Sequence, residues 1–327
     1  TQKSLQEIWD KVAALEARNL ATQQSLLAAQ QELALLQQNS GMSLPWQIST
    51  VDSVGGAYCS LAQSPTGQPA ISYYGTTNHD LKFAQFNGSI WELTTVDSTG
   101  IVGTYTSLAF SPAGRPAISY YDYRNHALKF AQFNGSIWEL TTVDSTGGVG
   151  TYTSLAFSPA GQPAISYYDW TNYDLKFAQF NGTIWELTTV DSTGMVGYCT
   201  SLAFSPAGQP AISYGDGTNS DLKFAQFNGS TWATVTVDGT GNVGESTSLA
   251  FSPAGQPAIS YYDSTNGDLK FAQFNGSTWK TATVDSAGNV GFDCTSLAFS
   301  PAGQPAISYY DDTNVALKFA QFNGSTW

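Results

Sequence analysis

"SPAGQPAISYYD", from Ser158 to Asp169, decides the fold, because the chain writes this stretch six times with small changes. The residues after its final Asp differ from copy to copy: "YRNH" after Asp122, "WTNY" after Asp169, "GTNS" after Asp216, "STNG" after Asp263 and "DTNV" after Asp311. The Ser-Leu-Ala triplet that precedes each copy starts at Ser60, Ser107, Ser154, Ser201, Ser248 and Ser296, at spacings of 47, 47, 47, 47 and 48 residues. Trp46 to Trp327 spans 282 residues, six such periods. A fixed period in this range is the mark of a repeat architecture.

Within the third unit, four segments read as short strands: "TSLAFSP" (Thr153 to Pro159), "PAISYYD" (Pro163 to Asp169), "DLKFAQF" (Asp174 to Phe180) and "WELTTVD" (Trp185 to Asp191). Each is rich in β-branched and aromatic residues and ends at turn formers. The Asn-Gly pairs favour tight hairpins. Four antiparallel strands per period make the blade of a β-propeller. The array opens with "WQISTVD" (Trp46 to Asp52), an outer strand without its own blade, and ends three strands into the sixth unit. The reading is therefore an all-β six-bladed propeller over 46–327, its N-terminal strand completing the last blade. Trp46 and Trp327 compete for one slot in that scheme, so either Trp327 is displaced or the natural chain continues.

Residues 1–38 read differently. They lack Gly and Pro from position 4 and carry a heptad, with Leu5, Val12, Asn19, Leu26 and Leu33 at a and Ile8, Leu15, Thr22, Ala29 and Leu36 at d. Such a repeat predicts an α-helical coiled coil that oligomerises the chain. Asn19 and Thr22 form a polar layer that sets register. The a/d mixture does not choose cleanly between dimer and trimer; trimer is the reading taken. Residues 39–45, "NSGMSLP", form a linker, with Gly41 to end the helix and Pro45 to block its continuation.

The bulk numbers exclude several classes. The formal charge is -13, which disfavours a phosphate backbone as partner, so no nucleic acid is expected. No apolar run approaches the ~20 residues that span a bilayer, and no signal peptide is visible. Three cysteines, Cys59, Cys199 and Cys294, make neither a disulfide framework nor a zinc site. Cys59 and Cys294 fall in corresponding loops of blades one and six, where a disulfide would staple the ring.

The unit "ISYYD…LKFAQFNGS.W…TVDS" resembles the repeats of bacterial surface proteins, some of which carry coiled-coil stalks. That resemblance covers 46–327 and implies a propeller outside the cytoplasm, extracellular or at the cell surface, with no activity attached. Six-bladed fucose-binding lectins of fungi are similar in architecture alone.

The copies also show where the sequence is free to change. The turns "SPAGQP" and "FNGS/T" are nearly fixed. The second-to-third turn and the connection into each first strand vary, and in an up-down-up-down blade these emerge on one face. Loops on a rigid scaffold are where binding usually resides. The expected ligand site is thus Tyr105, Tyr123, Arg124, His126, Tyr152, Trp170 and Tyr173, aromatic and polar groups suited to stacking on sugars, with a glycan or a surface protein as partner. Gly215 replaces the second Tyr of its pair in blade four, so the site opens there. Catalysis is not expected: His79 and His126 are not repeated in other blades, the pattern Ser-x-Asp-x-Gly-x-x-Trp is absent, and no cofactor or metal is implied. One carboxylate per "YYD" turn is thin for calcium, and an Asx turn accounts for it. The repeated Lys (Lys82 to Lys318) predicts ion pairs or solvated edges. The repeated Trp (Trp91 to Trp279) predicts caps on blade packing.

Overall fold

The computed structural model describes residues 49–327 and Lys11. The chain divides into units 1–50 and 51–327. The coiled-coil positions from Leu5 to Leu36 and the linker 39–45 lie outside the described residues.

The second unit is a six-bladed β-propeller. Five sheets have four antiparallel strands in sequence order, and the sixth has three. In blade three the strands are Val149–Phe157, Pro163–Asp169, Asp174–Phe180 and Trp185–Asp191. The innermost strand begins four residues before the expected Thr153, because it continues through a bulge at Tyr152, a residue at φ 53°.

Each blade docks on the next through the same contacts. Tyr120 is fully buried between blades one and two, and its hydroxyl donates to Asp97 Oδ2 at 2.8 Å. Lys129 donates to the same oxygen at 2.5 Å. Asp97 ends the outer strand of blade one, so each junction is tied by a buried carboxylate with two donors from the following blade. Burial raises the pKa of Asp191, but hydrogen bonds from Lys223, Thr193 and Tyr214 outweigh it and leave the group lowered to about 2. The repeated lysines are thus inter-blade ion pairs, not solvated edges. From blade two onward the repeated Trp packs edge-on to a Phe of the preceding blade, as Trp138 does on Phe83 at 5.1 Å. Near the axis, the hydroxyl of Ser72 on a second strand meets that of Thr106 on the next inner strand at 2.6 Å, and Leu108 N donates to Ser60 Oγ between inner strands at 3.0 Å.

The junction of blade six with blade one departs from this pattern. Asp52 holds the expected outer-strand position, accepting from Tyr73 at 2.8 Å and Lys82 at 2.7 Å. Residues 49–52, however, form no strand, and 46–48 lie outside the described residues. Trp327 takes the outer-strand Trp slot, 4.9 Å from Phe271, so it is not displaced. Among the described residues these two bonds near the axis are missing here. Leu61 is 67% exposed where Leu108 is 6%, and Leu317 is 82% exposed. The sequence explains part of this. Asp52 to Ser60 is two residues shorter than Asp97 to Ser107, and Cys59 stands where Thr106 makes its bond. The expected disulfide is not formed: Cys59 and Cys294 are free and exposed.

Candidate functional site

The variable connections share one face, and its backbone is unlike that of the fixed face. Among the described residues, all eleven non-glycine residues at positive φ lie there: Tyr58, Tyr105, Tyr152, Cys199, Ser246 and Asp293 on the inner strands, and His79, His126, Tyr173, Ser220 and Val315 at the end of the second-to-third turn. The fixed turns put glycine in that conformation, as at Gly114 and Gly135. A side chain in the left-handed region costs about 1–2 kcal/mol over glycine. The fixed face avoids that cost in every blade, while the variable face bears it at eleven positions and uses glycine at others such as Gly103 and Gly150. Side chains are being held on this face against local preference.

Their arrangement divides the face in two. On blades one to three the aromatics pack on each other. Tyr58, Tyr105 and Tyr152 follow one another around the axis at centroid distances of 5.0 and 4.9 Å. Further out, Tyr121, Tyr123, His126 and Trp170 form a connected group, with His126 and Trp170 at 5.6 Å and Tyr123 and His126 at 6.0 Å. The Trp170 indole lies over Gly148, a position where no side chain would fit. Tyr105 touches Tyr121 at 6.4 Å, which joins the two groups. Five of the seven expected site residues are therefore brought together. Arg124 instead lies along Gly100 of the neighbouring connection, and Tyr173 has no ring partner among the described residues.

On blades four and five the face is open. A cavity of about 540 Å³ lies between them, lined by Tyr198, Gly215, Gly217, Asn242, Glu245 and Phe292 among others. It adjoins a second cavity of about 720 Å³ at the axis, sharing Tyr152, Cys199, Ser246 and Asp293 with it. The cause is the substitution visible in the sequence. In other blades the second Tyr of the pair fills this space, as Tyr121 does at 4% exposure. Gly215 leaves it empty, and Gly217 replaces the residue that is Trp170 one blade earlier. Of the expected residues, only Tyr152 lines this cavity. Asn242 was outside the expected set, because its role depends on which side chain is missing across the blade junction. Burial pushes the Cys199 thiol up to about 11, with Glu245 and Asp293 adding to the rise.

The Asp of each "YYD" turn is occupied by the turn itself. Asp122 Oδ1 accepts from the Arg124 and Asn125 backbones at 3.1 and 3.0 Å, and Oδ2 accepts from the Asn125 amide at 2.8 Å. On the opposite face, the axial opening is walled by repeated Phe and Pro side chains, among them Phe110, Pro112, Phe157 and Pro159.

No protein-family profile matches the sequence, and no curated protein matches it either. The resemblance to surface-protein repeats therefore has no match beside it. Solved structures do match the fold. The SapL1 lectin, solved with alpha methyl fucoside, is 15% identical over 84% of this chain and 95% of its own, with a TM-score of 0.57. The Aleuria aurantia lectin is 15% identical over 85% and 96%, with a TM-score of 0.54. The alpha-L-arabinanase of Penicillium chrysogenum is 14% identical over 86% and 97%, with a TM-score of 0.57. Identities this low show the shared fold. They also correct the expectation that the chain is not an enzyme, since sialidases, an arabinanase and a polysaccharide lyase share that fold as closely as the lectins do.

Proposed function

We propose that the protein is an extracellular recognition module that binds glycans through the variable-loop face of the propeller, with several heads gathered by a coiled coil of residues 1–38. The observation that carries this is that left-handed side chains gather on that one face, around the gap that Gly215 opens in it. A cavity of about 540 Å³ bordered by Tyr198 and Phe292, with Asn242 and Glu245 at hand, has the size and mixed chemistry of a small-ligand pocket. The matching of lectin structures supports the reading at the level of fold. Weak single-site binding, multiplied through two or three linked heads, would reach useful avidity.

A second reading has its own observation. The edge of blade six that meets blade one exposes Leu317 and Phe319, the latter 66% exposed, where other junctions bury their counterparts. Such a face favours lateral assembly into a surface layer or filament. A glycan array probed with the intact chain and with a head lacking residues 1–38 decides between them. Specific signal that falls on removal of the helix supports multivalent recognition. A blank array with concentration-dependent assembly supports the structural reading.

A further inference from the structure

We infer that the cavity between blades four and five is a site for one hexose-sized, hydroxyl-rich ring that carries no carboxylate. The inference rests on the glycan reading above and gives that reading a place and a ligand class.

The first argument is the ring that is missing. The second Tyr of the pair stands beside the junction with the next blade in every repeat but the fourth. In blade five it is Tyr262, whose hydroxyl donates to Asn289 Oδ1 of blade six at 2.6 Å and whose ring meets Phe292 at 5.6 Å. One blade back, the corresponding positions are Gly215 and Asn242. Asn242 therefore keeps the place of a hydroxyl acceptor while its partner ring is gone, and its side-chain amide makes no hydrogen bond among the described residues. A six-membered ring bearing a hydroxyl restores both the volume and the bond.

The second argument is charge. Glu245 and Asp293 border the cavity with no hydrogen-bond or ion-pair partner among the described residues, and no Lys, Arg or His lines it. Unpaired carboxylates accept from sugar hydroxyls or from an amine, and they repel a uronate or a sialate. Tyr198 and Phe292 complete the lining, Tyr198 held 4.5 Å from Tyr168 and Phe292 5.6 Å from Tyr262, so the rings that border the cavity are fixed in place.

The test is titration of the full chain with methyl hexosides, a hexosamine and a hexuronate, followed by calorimetry or ligand-observed NMR. Neutral and amine-bearing rings are expected to bind, and the hexuronate at least tenfold more weakly. Gly215→Tyr, which writes the other blades' residue into blade four, is expected to lose binding by tenfold or more. A Cβ there would stand 2.9 Å from the Gly244 carbonyl oxygen, so the thermal midpoint of this variant is measured alongside. Should it not fold, Asn242→Ala and Glu245→Gln at the cavity edge carry the same test, with several-fold losses expected. Equal binding of the hexuronate overturns the ligand class. Unchanged binding in Gly215→Tyr, or in both edge variants, overturns the site while the glycan reading stands elsewhere on the face. No binding of any sugar by any form overturns both.

Discussion

Blades two and four share their strands and differ in what they do with one position. In blade two, Tyr121 is buried, its hydroxyl is 2.8 Å from His126, and Tyr105, Tyr123 and Trp170 pack around it. In blade four, Gly215 leaves that place to solvent and to any ligand. The same scaffold thus holds a closed aromatic surface on one side of its axis and an open, acidic cavity on the other. In the sequence, aromatic residues in variable loops point to a binding surface because aromatics stack on sugars. The structure shows that most of them already stack on each other. A side chain satisfied by its neighbours has less to offer a ligand than a position whose neighbour has been removed.

The strongest way to break this contrast is to make blade two resemble blade four. Tyr121→Gly removes a buried ring, and large-to-small changes of that kind cost about 3–5 kcal/mol. Urea unfolding should show a loss of this order, together with release of the His126 contact. Asn242→Ala in the open cavity should change stability by less than about 0.5 kcal/mol, as surface substitutions do. A similar cost at both positions would mean that the open half is as tightly built as the closed one.

The fold was legible in the sequence because its cause is periodic. Three of the four strand boundaries in blade three coincide with "PAISYYD", "DLKFAQF" and "WELTTVD". The gap at Gly215 was legible for the same reason: a repeat shows its own exceptions. What could not be read were contacts across junctions. That Asp97 receives Lys129 and Tyr120 depends on how one blade seats on the next, which no single repeat contains. The inner-strand bulge was also hidden, because Tyr152 at positive φ is a choice made against its local preference. Asn242 is a clear instance. Its importance comes from the absence of a ring in the preceding blade, and nothing in its own repeat marks it. The short connection from Asp52 to Ser60 is present in the sequence, but it lies ahead of the first Ser-Leu-Ala triplet, where the triplet spacing does not register it.

The junction carboxylates give a second, pH-dependent test, and here the two halves should behave alike. Hydrogen bonds from Lys82, Val54 and Tyr73 hold Asp52 at about 2, and Asp191 lies at about 2 as well; Asp97, Asp144, Asp238 and Asp285 are lowered too. A carboxylate whose folded pKa lies below its unfolded value stabilises the fold above the unfolded pKa, near 3.8, and loses that contribution as pH falls through about 2. The thermal midpoint should therefore stay level from neutral pH to about 5 and fall steeply between about 4 and 2. Asp191→Asn should flatten part of that fall. If it leaves the acid limb unchanged, the junction carboxylates are not what titrates.

The smallest effect expected separates strain kept for function from strain kept by descent. Val315 is β-branched and sits at φ 52°, a conformation such a side chain rarely adopts, and it is 78% exposed, so packing does not repay it. Blade five has Gly267 at the same position, at φ 74°. Relief of left-handed strain is worth about 1–2 kcal/mol, and the extra freedom of glycine in the unfolded chain returns about 0.5–1 of it. Val315→Gly should therefore stabilise the head by somewhat under about 1 kcal/mol, read as a small rise in thermal midpoint. Ser220→Gly, at the edge of the open cavity, should gain a similar amount. If Ser220→Gly also weakens sugar binding while Val315→Gly does not, the strain on blade four serves the cavity and the strain on blade six does not. If neither variant gains stability, the variable face carries its left-handed side chains without cost, and the contrast between the two faces must rest on the gap at Gly215 alone.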